Sequence, residues 1–278
     1  MTTLAERPVA NALRARFNYV VDPGRTMIRY IDWPEMEPQA VLPEFRLHEM
    51  PVRDGRPIRD SFSLDTHGFC FVDHATKVTD FTAEAQRNSV YDAEVKALIM
   101  KHSGASDVVV FDHTVRIGDE AAQQATGARP PVKSVHNDYT ERSAPKRLRE
   151  IVGDAEAERR MKKRWAIIQV WRPIRGDVLR DPLGICDGRS IPRKGFVLLE
   201  RRYKYRTGEV YQISHDPAHE WFWFPRMTRN EALVFKVFDS DETKPSRFTA
   251  HSAFDDPTSP PDAPPRESVE TRTFAFFD

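Results

Sequence analysis

Trp165-Ala166-Ile167-Ile168-Gln169-Val170-Trp171 decides the fold class. Its β-branched and aromatic side chains favour an extended, pleated backbone over a helix. From there almost to the end the chain keeps the same character, with strand-like runs at 195–202, 210–214, 220–224, 232–238, 247–254 and 268–277. A proline-rich loop at 257–265 separates the last two.

Moving outward toward the N-terminus, 107–111 reads as a buried strand, and 17–21 and 68–72 as two more. Two stretches break the pattern. Ala85, Val90, Val95, Leu98 and Ile99 fall at spacings near three and four, which predicts a helix over 82–103. A second helix is expected over 143–163, opened by Ser143 as N-cap with Pro145 in its first turn. Residues 118–131 read as a polar loop, 132–140 as extended, and 1–15 as a loose arm or short helix. Many short strands with two helices predict an all-β core with flanking helices, a jelly roll whose inward side chains can hold a ligand. Chains of 278 residues with this composition commonly form one domain, here 1–278.

Charge narrows the partners. Lys plus Arg and Asp plus Glu are 42 each, so no net field draws the protein to nucleic acid or an anionic membrane. The run Arg159-Arg160-Met161-Lys162-Lys163-Arg164 follows acidic residues and reads as a solvated helix face. No run approaches the ~20 apolar residues of a membrane helix. Cys70 and Cys186 lack the number for a disulfide framework and the spacing for a metal site, and read as core. A cytoplasmic protein is expected.

Of nine histidines, one is followed two positions later by a carboxylate, in His136-Asn137-Asp138. On an extended backbone those side chains share a face. Chance alone gives roughly one such pair in a chain this rich in acids, so the pair needs context. His251, on a strand-like segment near the C-terminus, supplies it as a third ligand expected from across the barrel. Two histidines and a carboxylate make the facial triad of non-haem iron(II), which leaves positions open for co-substrate and oxygen. An acidic co-substrate then needs a cation. Arg266 opens the last strand, and Ser268 and Arg272 share its parity, with Glu270 between them as a possible internal counter-ion.

His215 and His219 form the competing cluster. Helical i, i+4 spacing would favour zinc, but Pro217 between them argues for a turn. Tyr139, Trp171, Arg172, His219, Trp223 and Arg226 are the substrate-pocket candidates. Alternation places Trp221 and Trp223 on one face of their strand and Phe222 and Phe224 on the other.

The chain resembles the cephamycin hydroxylase-like (CmcJ-type) oxidoreductases. The resemblance rests on His136-Asn137-Asp138-Tyr139-Thr140, Val170-Trp171-Arg172-Pro173-Ile174, His215-Asp216-Pro217-Ala218-His219 and Phe224-Pro225-Arg226-Met227. It continues in Glu231-Ala232-Leu233-Val234-Phe235-Lys236, His251-Ser252-Ala253-Phe254-Asp255-Asp256-Pro257 and Pro264-Pro265-Arg266-Glu267-Ser268-Val269-Glu270, so it spans about residues 60–278. It implies a double-stranded β-helix, cupin-like, using Fe(II), 2-oxoglutarate and O2 to hydroxylate or desaturate a small molecule of secondary metabolism, with release of succinate and CO2. It puts His136, Asp138 and His251 on the metal positions and Arg266, or also Arg272, on 2-oxoglutarate. The carboxylate at 138 argues against halogenation. A barrel enzyme that does without 2-oxoglutarate, and a non-catalytic binding barrel, are the rival readings. Substrate and oligomeric state are not encoded legibly.

Overall fold

Alternating side chains let each of two sheets bury both of its faces. The computed structural model describes residues 12–278. Its strands, in chain order, are β1 (Ala12–Val20), β2 (Met27–Tyr30), β3 (Phe45–Asp54), β4 (Phe69–Asp73), β5 (Asp107–Ile117), β6 (His136–Asn137) and β7 (Trp165–Pro173). There follow β8 (Leu183–Cys186), β9 (Phe196–Arg202), β10 (Thr207–Ile213), β11 (Trp221–Trp223), β12 (Glu231–Asp239), β13 (His251–Ala253) and β14 (Glu267–Phe276). Five of them form one sheet in the order β4-β12-β7-β14-β5, and nine form the other in the order β1-β3-β11-β8-β13-β6-β10-β9-β2. This is the jelly-roll class expected from the sequence.

In the five-stranded sheet, Trp165, Ile167 and Trp171 of β7, Leu233 and Phe235 of β12, and Phe274 and Phe276 of β14 face inward to the core between the sheets. Ala166, Ile168, Val170, Val234 and Ala275 face outward. There they meet α2 (Asp92–Ser103), which α1 (Glu84–Gln86) leads into through a π turn at Arg87–Tyr91. Burial on both faces explains why these strands read as unbroken apolar runs.

The nine-stranded sheet also has cores on both sides. Phe222 and Phe224 turn inward, whereas Trp221 and Trp223 turn outward and pack with Phe17, Tyr19, Val52 and Phe254 beneath the β1–β3 ribbon. That ribbon bends back over the sheet: Asn18 bridges Ser134 and Val20 bridges Ser214. Gly184 on β8 permits the approach, because a Cβ there would lie 3.2 Å from the Phe17 ring.

Several expectations need correction. Residues 12–15, expected in a loose arm or short helix, are strand and pair with Met50–Arg53; residues 1–11 lie outside the described residues. The helix expected over 143–163 is two, α4 (Ser143–Val152) and α5 (Asp154–Arg160), broken at Gly153 with φ +84°. Ser143 is the first helical residue and not the cap; Arg142 precedes it without a side-chain capping bond, and the Ser143 N–H is taken up by Thr140 Oγ1 at 2.9 Å. The polar loop at 118–131 contains α3 (Glu120–Thr126), capped by Asp119.

Candidate metal centre and its two cavities

The centre is built on two neighbouring strands and the segment that follows one of them. β6 pairs with β13 so that His136 and His251 are direct register partners, and their ring centroids lie 4.3 Å apart. His251 therefore arrives from the adjacent strand, and not from across the barrel as the sequence led one to expect. Asp138 sits just past β6, in a segment tethered by the buried Asn137 side chain. Its Nδ2 donates to the Tyr139 carbonyl at 2.7 Å and to the Val237 carbonyl on the opposite sheet at 2.9 Å. One ligand atom from each of His136, Asp138 and His251 can be chosen so that all lie within 4.8 Å of one another.

Donor chemistry tests whether a cation fits. His136 Nδ1 lies 2.8 Å from the Ser134 carbonyl, an acceptor that fixes the proton on Nδ1 and leaves the Nε2 lone pair free, 3.4 Å from Asp138 Oδ1. Both ring nitrogens of buried His251 lack a hydrogen-bond partner among the described residues. Orphaned buried nitrogens are costly unless something fills their lone pairs. Burial, and then His136 beside it, hold the His251 imidazole well below its usual range, in the neutral form that can ligate. Burial alone would raise the Asp138 carboxyl; Arg272, and then His136, outweigh that and keep it ionised well below the usual range. The set fits a borderline first-row cation.

The opposite sheet fixes the carboxylate. Asp138 Oδ2 accepts from Gln169 Nε2 at 2.8 Å, Arg272 Nη2 at 2.8 Å and Arg272 Nε at 3.1 Å. The remaining nitrogen of Arg272 donates to Thr114 Oγ1 at 2.9 Å and to Asp112, and Glu270 completes the pairing. Arg272 is thus fully engaged and does not reach toward a co-substrate, which corrects that expectation; Glu270 is the counter-ion that strand parity allowed.

On one side of the triad lies a small cavity lined by His136, His251, Trp171, Leu183, Arg116 and Arg266. Arg266 is buried, with its Nη1 on the Asp181 carbonyl at 2.5 Å and its Nε without a partner. It forms no ion pair among the described residues, and it lies 5.3 Å from the Trp171 ring centroid. Burial, and then Arg116, pull its pKa down to about 10. Ser268 is buried with its Oγ unpartnered. Trp171 therefore belongs to this cavity and not to a substrate rim.

On the other side Asp138, Tyr139 and Arg272 form part of the wall of an open cleft of about 450 Å3. A bulge shapes it. Asp112 pairs with Arg272 and Val110 with Thr273, so Phe111 is extra, and Phe111 and Asp112 both turn to the cleft.

The remaining substrate candidates sit elsewhere. Arg172 follows an inward Trp171 and so points outward, between His74 and the Tyr91 ring. Arg226, with φ +51°, is exposed and lies 3.6 Å from Asp177. His219 and Trp223 pack in the outer core under the β1–β3 ribbon. Gln169 and Asp112 carried no sequence signal of their own, because each acts through a neighbour that only the fold supplies, and Arg116 carried none because only strand pairing brings it beside Arg266.

Comparison with known proteins agrees with this geometry. Residues 17–276 match the family model described as "Oxidoreductase/YMDC permease-like domain". The chain is 33% identical to the hydroxylase/desaturase efuI of Hormonema carpetanum over 100% of this chain and 98% of that protein. It is 35% identical to the Fe(II)/2-oxoglutarate-dependent dioxygenase nvfI of Aspergillus novofumigatus, over 82% of this chain and 83% of that one. The solved structure of the iron and alpha-ketoglutarate-dependent endoperoxidase NvfI superposes with a TM-score of 0.85 at 29% identity, covering 96% of this chain and 98% of that one. The chain belongs to this family, whose members here include a hydroxylase/desaturase and an iron(II)- and 2-oxoglutarate-dependent dioxygenase. No helix among the described residues is long and apolar enough to cross a membrane.

Proposed function

We propose that His136, Asp138 and His251 hold iron(II), that 2-oxoglutarate occupies the small cavity, and that a small organic substrate is oxidised in the open cleft. The observation that carries the assignment is the convergence of three ligand atoms between those two spaces, with a buried, unpaired Arg266 behind them. Glu270 lines the same cavity but makes no ion pair with Arg266, and a guanidinium held out of water without a paired carboxylate calls for an anion. Arg266, with Arg116 and the free hydroxyl of Ser268, would receive the distal carboxylate of the co-substrate. Iron(II) with 2-oxoglutarate and oxygen supplies the oxidising power for attack on an unactivated C–H bond, with succinate and CO2 as co-products.

The protein contributes position and dryness. Ser134 sets the His136 tautomer, and Gln169 and Arg272 lock Asp138 Oδ2 so that Oδ1 faces the histidines. Trp171 and Leu183 wall the co-substrate cavity. Substrate approaches past Tyr139 and Phe111. We assign the reaction to hydroxylation or desaturation in secondary metabolism, within the CmcJ-type branch, by one domain spanning the chain. The two unpaired, buried cysteines are consistent with a cytoplasmic setting.

Anaerobic titration with iron(II) and 2-oxoglutarate tests the reading. A weak visible charge-transfer band should appear, H136A and D138A should abolish it, and R266Q should weaken 2-oxoglutarate about 100-fold, in line with loss of one buried charged partner. Retention of the band in both ligand variants refutes the assignment.

A further inference from the structure

The open cleft has an unbalanced charge ledger. Its walls carry Arg129, Lys146, Arg147, Arg201, Arg206 and Arg272 against Asp112, Asp138, Glu150 and Glu209. Local pairing uses up every carboxylate. Asp112 and Asp138 go to Arg272, Glu150 to Arg147 at 3.1 Å, and Glu209 to Arg142 at 3.0 Å and to Thr140. Four cations remain. Among the described residues Arg129, Lys146, Arg201 and Arg206 form no ion pair; Lys146 donates only to the Thr207 carbonyl, at 2.8 Å, and Arg206 lies over the Tyr203 ring at 3.8 Å.

The unpaired cations come from three separate parts of the chain: the segment after α3, the helix α4, and the β9–β10 hairpin. Such convergence on one concavity in a chain of zero formal net charge is local, so it does not follow from overall composition. A cleft lined by one sign of charge concentrates the field and raises the local concentration of the opposite ion. Between the rim and Asp138 the wall is aromatic: Phe111 and Tyr139 meet edge-on at 6.4 Å, and Tyr203 faces the same space. About 450 Å3 suits a drug-sized molecule.

We propose that the substrate is an organic acid whose carboxylate is received by the Arg129, Lys146, Arg201 and Arg206 rim while its apolar body lies on Phe111 and Tyr139 against the metal centre. The proposal rests on the reading of the triad given above and names the substrate class for that site. The anchored charge leaves the far end of the molecule to face Asp138, so the carbon attacked is remote from the acid group. Orientation by a distant charge is one way to present a single C–H bond to a reacting centre.

Calorimetry on the iron-loaded protein, saturated with 2-oxoglutarate and kept anaerobic, tests it with 2-naphthoate and its neutral counterpart 2-naphthamide as probes. Naphthoate should bind at least tenfold more tightly at low salt, and the preference should shrink as ionic strength rises. The R201Q/R206Q variant, altered only at exposed or half-buried positions, should lose most of that preference and keep the charge-transfer band. Equal affinity for the two probes, no naphthoate binding at millimolar concentration, or a preference that survives in the double variant overturns the proposal. A missing band in the wild-type protein would instead refute the metal reading, so the two failures are distinguishable.

Discussion

Two histidine clusters face opposite sides of the same nine-stranded sheet, and among the described residues only one of them brings two imidazoles together with a carboxylate. In the inner cluster His136 and His251 converge with Asp138, and lone pairs are left open. In the outer cluster His48 and His215 stack face to face at 3.8 Å, and His219 stacks on Tyr19. There Tyr19 Oη accepts from Trp221 Nε1 at 2.7 Å and lies 3.1 Å from His219 Nδ1. Among the described residues no carboxylate groups with these rings as a set of ligands; Asp216, the nearby acid, accepts from the Ala218 N–H in the turn. Stacked imidazoles present faces to one another, and ligation needs edges aimed at one point. The difference is orientation and a negative charge, not histidine content.

The comparison can be broken most sharply at the ligands. H251A should abolish the iron–2-oxoglutarate band, whereas H215A should leave it unchanged; equal loss in both would mean that the outer cluster takes part in ion binding. Next in size is the packing role of the outer layer. W221A should cost about 3–5 kcal/mol in urea unfolding, as for a fully buried indole, and a cost under 1 kcal/mol would show that the β1–β3 ribbon packs only loosely.

Smaller effects sharpen the same contrast. Q169L removes one of the three donors to Asp138 Oδ2 and should weaken iron(II) about tenfold while leaving the fold intact; unchanged affinity would make Gln169 mere packing. His219 is held down to about 4 by burial, so it is neutral in the fold but protonates in the unfolded chain near pH 6.5. Stability should therefore fall as pH drops from about 6.5 to 4, by on the order of 2 kcal/mol. H219Q should flatten that part of the unfolding-versus-pH curve, and an unchanged slope would assign the acid sensitivity to another group.

How much of this was legible depended on whether a residue acts alone or through a partner. The strands announced themselves because β7, β12 and β14 are buried on both faces. His136, Asp138 and His251 could be found because residue type and order suffice. Arg266 could be found by its place at the head of the last strand. Arg172 was misplaced although strand parity carried the answer: with Trp171 inward it had to point outward. Trp223 was misplaced because alternation separates two faces without saying which is inner. The role of Arg272 was hidden because parity gave its face but not the Asp138 carboxylate arriving from the other sheet. The β1–β3 ribbon went unseen, because bending back over a sheet leaves no periodic trace.

One oxygen of Asp138 is already saturated by three donors, and this limits what can occupy the centre. The carboxylate cannot turn to chelate with both oxygens, so the protein offers two nitrogens and a single oxygen. Calcium, which gathers six to eight oxygens, finds too few of them here, and magnesium finds the wrong kind. The two imidazoles would disfavour the abundant hard cations, and Gln169 and Arg272 would add to this by holding the carboxylate to one free oxygen without touching the ion.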